Sequence, residues 1–269
     1  MKCAAFDYLR PESVDEVVKA LSDADGEGKI LAGGQSLVPV LALRMARPAQ
    51  LIDVNRIPGL SGVRSIDGVV EVGALVRHSR LLEQSAHPLL AEAARWIGHT
   101  AIRSRGTTGG SIAHADPSAE LPVVALVTGA TATVAGPSGT RTVTADELFV
   151  SALMTSIADD EMITSVRFPV PRRWGFAEFA RRHGDFALVT AIAAEFDGAT
   201  RIALGGVAPV PVRAPEAEEV LAAGGSVRDA AQAAAEEISP TADLHGSVPF
   251  RRAIAAEMVR RALAQAGID

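Results

Sequence analysis

The alternation of apolar and polar residues over the first 55 positions predicts a compact unit of strands and helices. Ser13 and Glu16 have the spacing of a capping box, which predicts an amphipathic helix through about Leu21. Three further elements follow from the same pattern: an apolar strand at 29–32, a helix at 37–45 and an apolar strand at 51–54. We therefore expect residues 10–55 to form a β-α-β-like unit with a glycine-rich turn between its first strand and the next helix.

The middle of the chain carries shorter elements separated by turn residues. Asp67 and Gly68 predict a hairpin over 61–75, and helical patterns continue to about Ile97. Asp116 as a cap and Pro117 as the first helical residue predict a helix through Val127. The remaining predicted elements are strands at 130–135 and 141–144, joined by a turn at 136–139, and a strand at 162–168 that stops at Pro169 and Pro171.

The proline-rich stretch at 169–173 is the best candidate for a domain boundary. Beyond it, the pattern predicts three antiparallel strands at 176–180, 187–196 and 201–207, and then helices at about 214–222, 227–237 and 249–265. Strands followed by helices are typical of an α+β layer arrangement. We therefore predict a first domain over 1–168, with subdomains of about 1–56 and 57–168, and a second domain over 174–269.

Composition and charge narrow the function classes. The chain has 269 residues, of which 48% are hydrophobic and 22% charged, as is ordinary for a globular protein of one or two domains. A formal net charge of −6 argues against a nucleic-acid or anionic-membrane partner. The single cysteine, Cys3, excludes an internal disulfide framework and a cysteine-held iron–sulfur cluster, and no window reaches the roughly 18 uncharged apolar residues of a membrane span. A reducing, cytoplasmic location is the expectation.

Two glycine-rich segments, 31–37 and 107–117, are the strongest candidates for chemistry. Each combines a Gly-Gly pair with a small hydroxyl residue, a composition that lets backbone N–H groups converge on an anion at close range. Neither has the lysine of a Walker A motif or the three glycines of a Rossmann turn, so a clamp from two loops around the pyrophosphate of a flavin dinucleotide is more consistent with them. The alternative is that each pair forms an ordinary turn.

Polar residues beside the second segment have two interpretations as well. Asp116 and Glu120 are typical of a helix cap and a first-turn acid, and the same positions could accept hydrogen bonds from ribityl or ribose hydroxyls. His114 is a cofactor candidate because it lies between Gly110 and Asp116; otherwise it is a loop histidine.

A series of motifs in the same order along nearly the whole chain resembles the medium, FAD-binding subunit of the molybdenum hydroxylases, the family of aerobic carbon monoxide dehydrogenase and the flavin domain of xanthine dehydrogenase. The motifs lie at residues 6–11, 32–37, 51–54, 72–74, 106–120, 181–187 and 259–263. The resemblance implies a two-subdomain FAD-binding fold of the vanillyl-alcohol-oxidase-like (PCMH) type. It further implies a smaller α+β C-terminal domain with a three-stranded antiparallel sheet and helices.

The resemblance also implies which residues contact FAD. The first segment would wrap the pyrophosphate, and the second would form the other side of the clamp. Asp116 and Glu120 would contact the sugar-alcohol chain. Ile163 would pack near the adenine or ring system, and Phe186 would lie near the isoalloxazine. The candidate cofactor-binding residues are Leu31, Ala32, Gly33, Gly34, Gln35, Ser36, Leu37, Thr107, Thr108, Gly109, Gly110, Ser111, His114, Asp116, Glu120, Ile163 and Phe186. Members of the family often have other residues at four positions, which are Val76, Thr108, Ser111 and Phe186 here.

The function that the resemblance implies is electron transfer. The FAD, held non-covalently, would take electrons from the iron–sulfur clusters of a small subunit and pass them to an external acceptor, while a large subunit carries the molybdopterin. The expected assembly is a dimer of such heterotrimers. No catalytic residue and no metal ligand is assigned to this chain, because it has no Ser-His-Asp set and no His-Glu metal spacing. The alternatives are a self-contained FAD-dependent oxidase and a non-catalytic scaffold without flavin.

Overall fold

A computed structural model of the protein describes residues 2–268 and begins with a small parallel sheet. Its elements are β1 (Asp7–Leu9), α1 (Val14–Asp23), β2 (Gly28–Leu31), α2 (Leu37–Ala42) and β3 (Gln50–Asp53), and the strand order is β1-β3-β2. The hydroxyl of Ser13 accepts the Glu16 N–H, which confirms the predicted cap of α1. Buried side chains of α1 pack on β3, so the predicted β-α-β unit is present with one additional strand, β1.

The second sheet is antiparallel and contains the predicted hairpin. Its strands are β4 (Val63–Ile66), β5 (Val69–Gly73), β6 (Thr131–Gly136), β7 (Gly139–Thr144) and β10 (Met162–Pro169), in the order β4-β5-β10-β6-β7. Between β5 and β6 lie five helices: α3 (His78–Leu81), α4 (Pro88–Trp96), α5 (Thr100–Arg103), α6 (Thr108–His114) and α7 (Glu120–Thr128). Between β7 and β10 lie α8 (Ala145–Leu148) and a two-stranded hairpin of β8 (Phe149–Ser151) and β9 (Met154–Thr155).

The third sheet is antiparallel and follows the proline-rich stretch. Its strands are β11 (Arg173–Phe179), β12 (Val189–Phe196), β13 (Ala199–Gly205) and β14 (Val212–Arg213), in chain order. The three-stranded sheet expected here therefore has a fourth strand, which is only two residues long. Three helices, α9 (Pro215–Ala222), α10 (Val227–Glu237) and α11 (Val248–Gln265), follow as predicted, and their buried alanines and leucines form one core with β12 and β13.

Helix α7 connects the cores of the second and third sheets. All nine of its residues are buried, as expected for a helix that is apolar on every side. It packs against α4 and β10 on one side and against β12 and β13 on the other. The start of α7 is therefore fixed in a rigid environment between the two larger sheets.

The predicted start of α7 is wrong. The helix begins at Glu120, with Ala119 as its cap, and not at Pro117. Asp116 instead accepts the N–H of Ser118 (2.8 Å) through its side chain and the N–H of Ala119 (3.0 Å) through its carbonyl, which makes a tight turn. No helix between residues 2 and 268 has the length and apolar character that crossing a bilayer requires.

Candidate functional site

A cavity of about 510 Å³ lies where the first segment, α6, the start of α7 and β10 meet. Fifteen of the seventeen candidate residues line it: Ala32, Gly33, Gly34, Gln35, Ser36, Leu37, Thr107, Gly109, Gly110, Ser111, His114, Asp116, Glu120, Ile163 and Phe186. The other two do not. Thr108 is fully buried and its hydroxyl donates to the Val76 carbonyl (3.3 Å), and Leu31 ends β2 beneath the segment. The volume is in the range of ordinary small-molecule and cofactor sites.

The first segment presents backbone N–H groups with no protein partner. Between β2 and α2 the chain turns at Gly34, whose φ of +71° is in the left-handed region that favours glycine. The N–H groups of residues 33–36 donate to no acceptor in the described chain, although the carbonyl of Gly34 accepts the N–H of Val38 (3.0 Å). Successive free backbone donors of this kind are what a protein needs to bind an anion.

Gly33 has a second role, because it lies directly against the backbone that precedes the second segment. A Cβ at this position would lie 2.5 Å from the carbonyl oxygen of Arg105 and 2.8 Å from the Cα of Gly106. Neither atom is the end of a flexible side chain, so a larger residue would push the two segments apart. Glycine at 33 therefore sets the distance between the two sides of the cavity.

The second segment is a helix and not the loop that the sequence predicted. Thr107 caps α6, and its hydroxyl accepts the N–H of Gly110 (3.2 Å). The N–H of Thr108 donates to the Val76 carbonyl and that of Gly109 to the Ala74 carbonyl (2.9 Å each). The amides that were expected to hold an anion are thus already bonded within the protein. The second segment therefore contributes side chains, and not backbone N–H groups, to the wall of the cavity.

The two glycines of α6 allow close packing. A Cβ on Gly109 would lie 2.6 Å from the Cβ of Ala74, and one on Gly110 would lie 2.6 Å from the Thr107 hydroxyl. Both positions are therefore restricted to glycine by their neighbours within the protein. The Gly-Gly pair that suggested an anion-binding loop is therefore explained by the close packing of α6.

Two buried acidic side chains lie near the end of the second side, and of these Glu120 lines the cavity whereas Glu178 does not. Glu120, at the first turn of α7, is 8% exposed, and Glu178 on β11 is 9% exposed. Burial raises the pKa of both carboxyls, and the charge of Glu178 raises that of Glu120 further, with a smaller effect of Asp116. The hydroxyl of Thr190 donates to Glu178 (3.2 Å), and neither carboxyl forms an ion pair with a described residue. The pair therefore retains a proton to a higher pH than ordinary carboxyls.

The remaining candidates lie at separate points of the wall. The Nε2 of His114 is 4.0 Å from the carboxylate of Asp116, which is beyond hydrogen-bonding distance. Ile163 is buried on β10 next to an irregularity in its pairing with β6. Phe186 lies in the loop before β12, is 76% exposed, and borders both this cavity and a second one of about 600 Å³.

The two sides of the cavity thus differ in chemistry, with free donors on one and acceptors and hydroxyls on the other. A ligand with an anionic centre and hydroxyl-bearing chains fits this arrangement. Residues 4–171 match the family described as the FAD binding domain in molybdopterin dehydrogenase, and residues 174–266 match the CO dehydrogenase flavoprotein C-terminal domain. The chain belongs to the molybdopterin-dehydrogenase flavoprotein family.

Several relatives of this flavoprotein are similar to it along nearly their full length. It is 41% identical to the 6-hydroxypseudooxynicotine dehydrogenase complex subunit alpha of Paenarthrobacter nicotinovorans, over 99% of this chain and 96% of the relative. It is 37% identical to the carbon monoxide dehydrogenase medium chain of Hydrogenophaga pseudoflava, over 96% of each chain. A chain of quinoline 2-oxidoreductase from Pseudomonas putida 86 superimposes with a TM-score of 0.94 at 36% identity, covering 99% of this chain and 98% of that one.

These comparisons confirm the predicted family, the predicted fold and FAD as the cofactor of the chain. They also confirm that it is an oxidoreductase subunit, since its relatives are dehydrogenase subunits.

The flavoprotein cavity includes residues that sequence reasoning missed. His78 at the start of α3 lines it, and burial lowers the pKa of this imidazole to about 4, so the ring is neutral at physiological pH. Gly106 is a further lining residue, and a Cβ there would lie 2.8 Å from the His78 Nδ1. Gly106 directly precedes the second segment and so had a signal in the sequence. His78 had none, because only tertiary packing brings α3 against this segment.

Proposed function

We propose that this flavoprotein holds FAD non-covalently in the cavity and acts as the electron-transfer subunit of a molybdenum hydroxylase complex. The observation that carries the proposal is the row of free N–H groups at residues 33–36 opposite a wall of hydroxyl and carboxyl side chains. A dinucleotide has both complementary parts, since its pyrophosphate is anionic and its ribityl and ribose groups carry hydroxyls. Bound FAD would supply reversible acceptance of electrons.

Nine of the candidate residues have a proposed part in holding the cofactor. The amides of Gly33–Ser36 would bind the pyrophosphate, and Ser111, Asp116 and Glu120 would bind sugar hydroxyls. Ile163 would cover the adenine or the ring system, and Phe186 would lie beside the isoalloxazine. Serine at 111 has a shorter reach than the asparagine frequent in the family, so its contact would be a short one or would pass through water. No residue of this chain is proposed to break or form bonds in a substrate.

The proposed partners are a large molybdopterin-binding subunit and a small iron–sulfur subunit. Two relatives, a subunit of a dehydrogenase complex and a medium chain of carbon monoxide dehydrogenase, support membership of a complex. Electrons would enter from the small subunit and leave to an external acceptor, in a cytoplasmic dimer of heterotrimers. The domain over 174–269 would complete the flavin site next to residues 1–168 and help to dock the other subunits.

Co-expression of the chain with the products of its neighbouring genes tests the proposal. The expected result is a purified complex with molybdenum, iron and one FAD per chain, whose flavin is reduced by the complex's substrate but not when this chain is alone. A chain that oxidises a small organic substrate unaided would show a self-contained oxidase. A chain that binds no flavin, alone or in the complex, would show a scaffold.

A further inference from the structure

Side-chain hydrogen bonds fix the direction of free N–H groups in the first segment, because they hold the carbonyls of the same peptide units. In a planar trans peptide the C=O and N–H point in opposite directions. The side-chain amide of Asn55, just after β3, donates to the carbonyl of Ala32 (2.8 Å) and more weakly to that of Leu31 (3.3 Å). Because Ala32 C=O is held toward Asn55, the N–H of Gly33 points away from it.

The next peptide unit is held in the same way by another side-chain amide. The Nε2 of Gln35 donates to the carbonyl of Gly33 (3.1 Å), which directs the N–H of Gly34 to the opposite side. Gln35 lines the cavity, whereas Asn55 does not. Asn55 can therefore affect a ligand only through the groups that it holds in place, and the nearest of these is the backbone of the first segment.

Asn55 is itself fixed by charged neighbours on both ends of its amide. The carboxylate of Asp53 accepts from the Asn55 side chain (2.7 Å) and from its backbone N–H (2.9 Å), and the Tyr8 hydroxyl donates to the same carboxylate group. On the other end, the guanidinium of Arg77 donates to the Asn55 Oδ1 (2.7 Å). Since the oxygen faces a donor and the nitrogen faces acceptors, the amide has one orientation.

Arg77 connects this network to the other side of the cavity. Its guanidinium also donates to the carbonyl of Arg105, the atom against which Gly33 packs. Arg77 further pairs with Thr107, the cap of α6, as an isolated bridge. One continuous chain of hydrogen bonds therefore runs from Asp53 through Asn55 and Arg77 to Arg105, on the backbone just before the second segment.

We propose that Asn55 is a positioning residue for FAD, because it directs the Gly33 N–H at the pyrophosphate. We further propose that Arg77 links the orientation of Asn55 to the position of the second segment. The inference rests on the proposed placement of the pyrophosphate on residues 33–36. Asn55 is the only asparagine of the chain.

Two Asn55 variants and a matched control test the proposal in whichever preparation, isolated chain or complex, the wild type takes up FAD. Asn55→Leu keeps the approximate shape of the side chain and loses all of its side-chain hydrogen bonds. Asn55→Asp keeps an acceptor for Arg77 but has no donor for Ala32. Val17→Ala removes methyl groups from a fully buried α1 side chain in the same core, away from the cavity. The readouts are the Kd for FAD, from quenching of flavin fluorescence, and the melting temperature of the FAD-free protein.

Both Asn55 variants are expected to bind FAD about tenfold more weakly or worse, since the Gly33 N–H is no longer held toward the anion. Val17→Ala is expected to melt at a lower temperature and to keep its Kd within about twofold. FAD binding by both Asn55 variants within twofold of the wild type, or a weakening that Val17→Ala reproduces at equal loss of stability, would overturn the proposal. A wild type that binds no FAD in any preparation would instead contradict the proposed function.

A double-variant cycle tests the part assigned to Arg77. If Asn55 and Arg77 act as one chain, Asn55→Leu with Arg77→Met is expected to bind FAD no more weakly than the poorer of the two single variants. Fold-changes that multiply in the double variant would show two independent contributions and would overturn the coupling.

Discussion

The two glycine segments are alike in sequence and opposite in structure. At residues 33–36 the backbone N–H groups have no partner among residues 2–268, whereas at residues 108–111 each N–H is bonded within the protein. The first pair of glycines leaves donors free, whereas the second pair lets α6 pack closely against Ala74, just after β5, and against its own cap Thr107. A Gly-Gly pair therefore marks a close approach of backbone, and only its hydrogen bonds decide whether it can bind an anion.

Gly33→Ala is the change with the largest expected effect on the cofactor. The added Cβ meets the backbone of Arg105 and Gly106, and the displaced segment no longer presents its amides together. We expect FAD binding to weaken by about a hundredfold or more, equivalent to about 2.7 kcal/mol. Titration of the FAD-free protein measures this.

Gly62→Ala is the control for that change, since a Cβ at Gly62 has no neighbour closer than 4.0 Å and its φ is not in the left-handed region. If both variants bound FAD as the wild type does, the first segment would have no part in binding.

Gly109→Ala is expected to act on stability first. In an isolated helix this change would be favourable by about 1 kcal/mol. Here the Cβ would meet Ala74 at 2.6 Å, so we expect the free energy of unfolding to fall by about 1–3 kcal/mol. Denaturant titration of the FAD-free protein measures it. An unchanged or raised stability would show that α6 can move away from Ala74, against the packing role assigned to this glycine.

The buried carboxyls of Glu120 and Glu178 are expected to make the stability of the protein depend on pH. The pKa values of Glu120 and Glu178 are higher in the folded state than in the unfolded state. Below their ordinary pKa both carboxyls are neutral in either state. As the pH rises above that value, the unfolded state ionises first, so the folded protein loses stability until the pH reaches the folded pKa values. We expect the free energy of unfolding to fall between about pH 5 and pH 8, with a slope of at most about 1.4 kcal/mol per pH for each carboxyl that is neutral in the folded state and ionised in the unfolded state. Unfolding titrations across this range measure the slope.

Glu178→Gln is expected to reduce that slope, because Glu120 then has no charged neighbour on β11. Glu257→Gln is the control, since Arg260 and Arg261 lower the pKa of this exposed carboxyl to about 2, well below the range. An equal slope in the wild type and Glu178→Gln would contradict the shared burial of the two carboxyls.

Thr107→Val has the smallest expected effect. It keeps the shape of the side chain and removes the hydroxyl that caps the N–H of Gly110, at a cost of about 1 kcal/mol of stability. Thr107→Ser keeps the cap and is expected to restore most of the difference. If the cap has no part in holding α6, thermal melts would give Thr107→Val and Thr107→Ser the same melting temperature.

Much of the fold follows from local patterns in the sequence. The hairpin at Asp67 and Gly68 and the cap at Ser13 are present as predicted, because turn chemistry and side-chain caps act over a few residues. Strand β1 had no such signal, since its three residues are exposed and it forms by pairing with β3 some forty positions away.

The site was predictable in part for the same reason. The first segment lies at a strand-to-helix turn, as its glycines indicate. Helix α6 forms despite the low helix propensity of Gly109 and Gly110. It is held by hydrogen bonds to the carbonyls of residues 74 and 76, just after β5, which no local pattern reveals. Glu178 does not line the cavity but is close enough to Glu120 to raise the pKa of that carboxyl. It lies 58 residues further along the chain, and nothing around it in the sequence marks it.

Hydrogen–deuterium exchange with and without FAD tests the central claim most directly, because it reads the amides of both segments in one experiment. Without FAD, the amides of residues 33–36 are expected to exchange fast and those of 108–111 slowly. With FAD, exchange at 33–36 is expected to slow strongly while that at 108–111 changes little. Protection that appears at 108–111 and not at 33–36 would contradict the account.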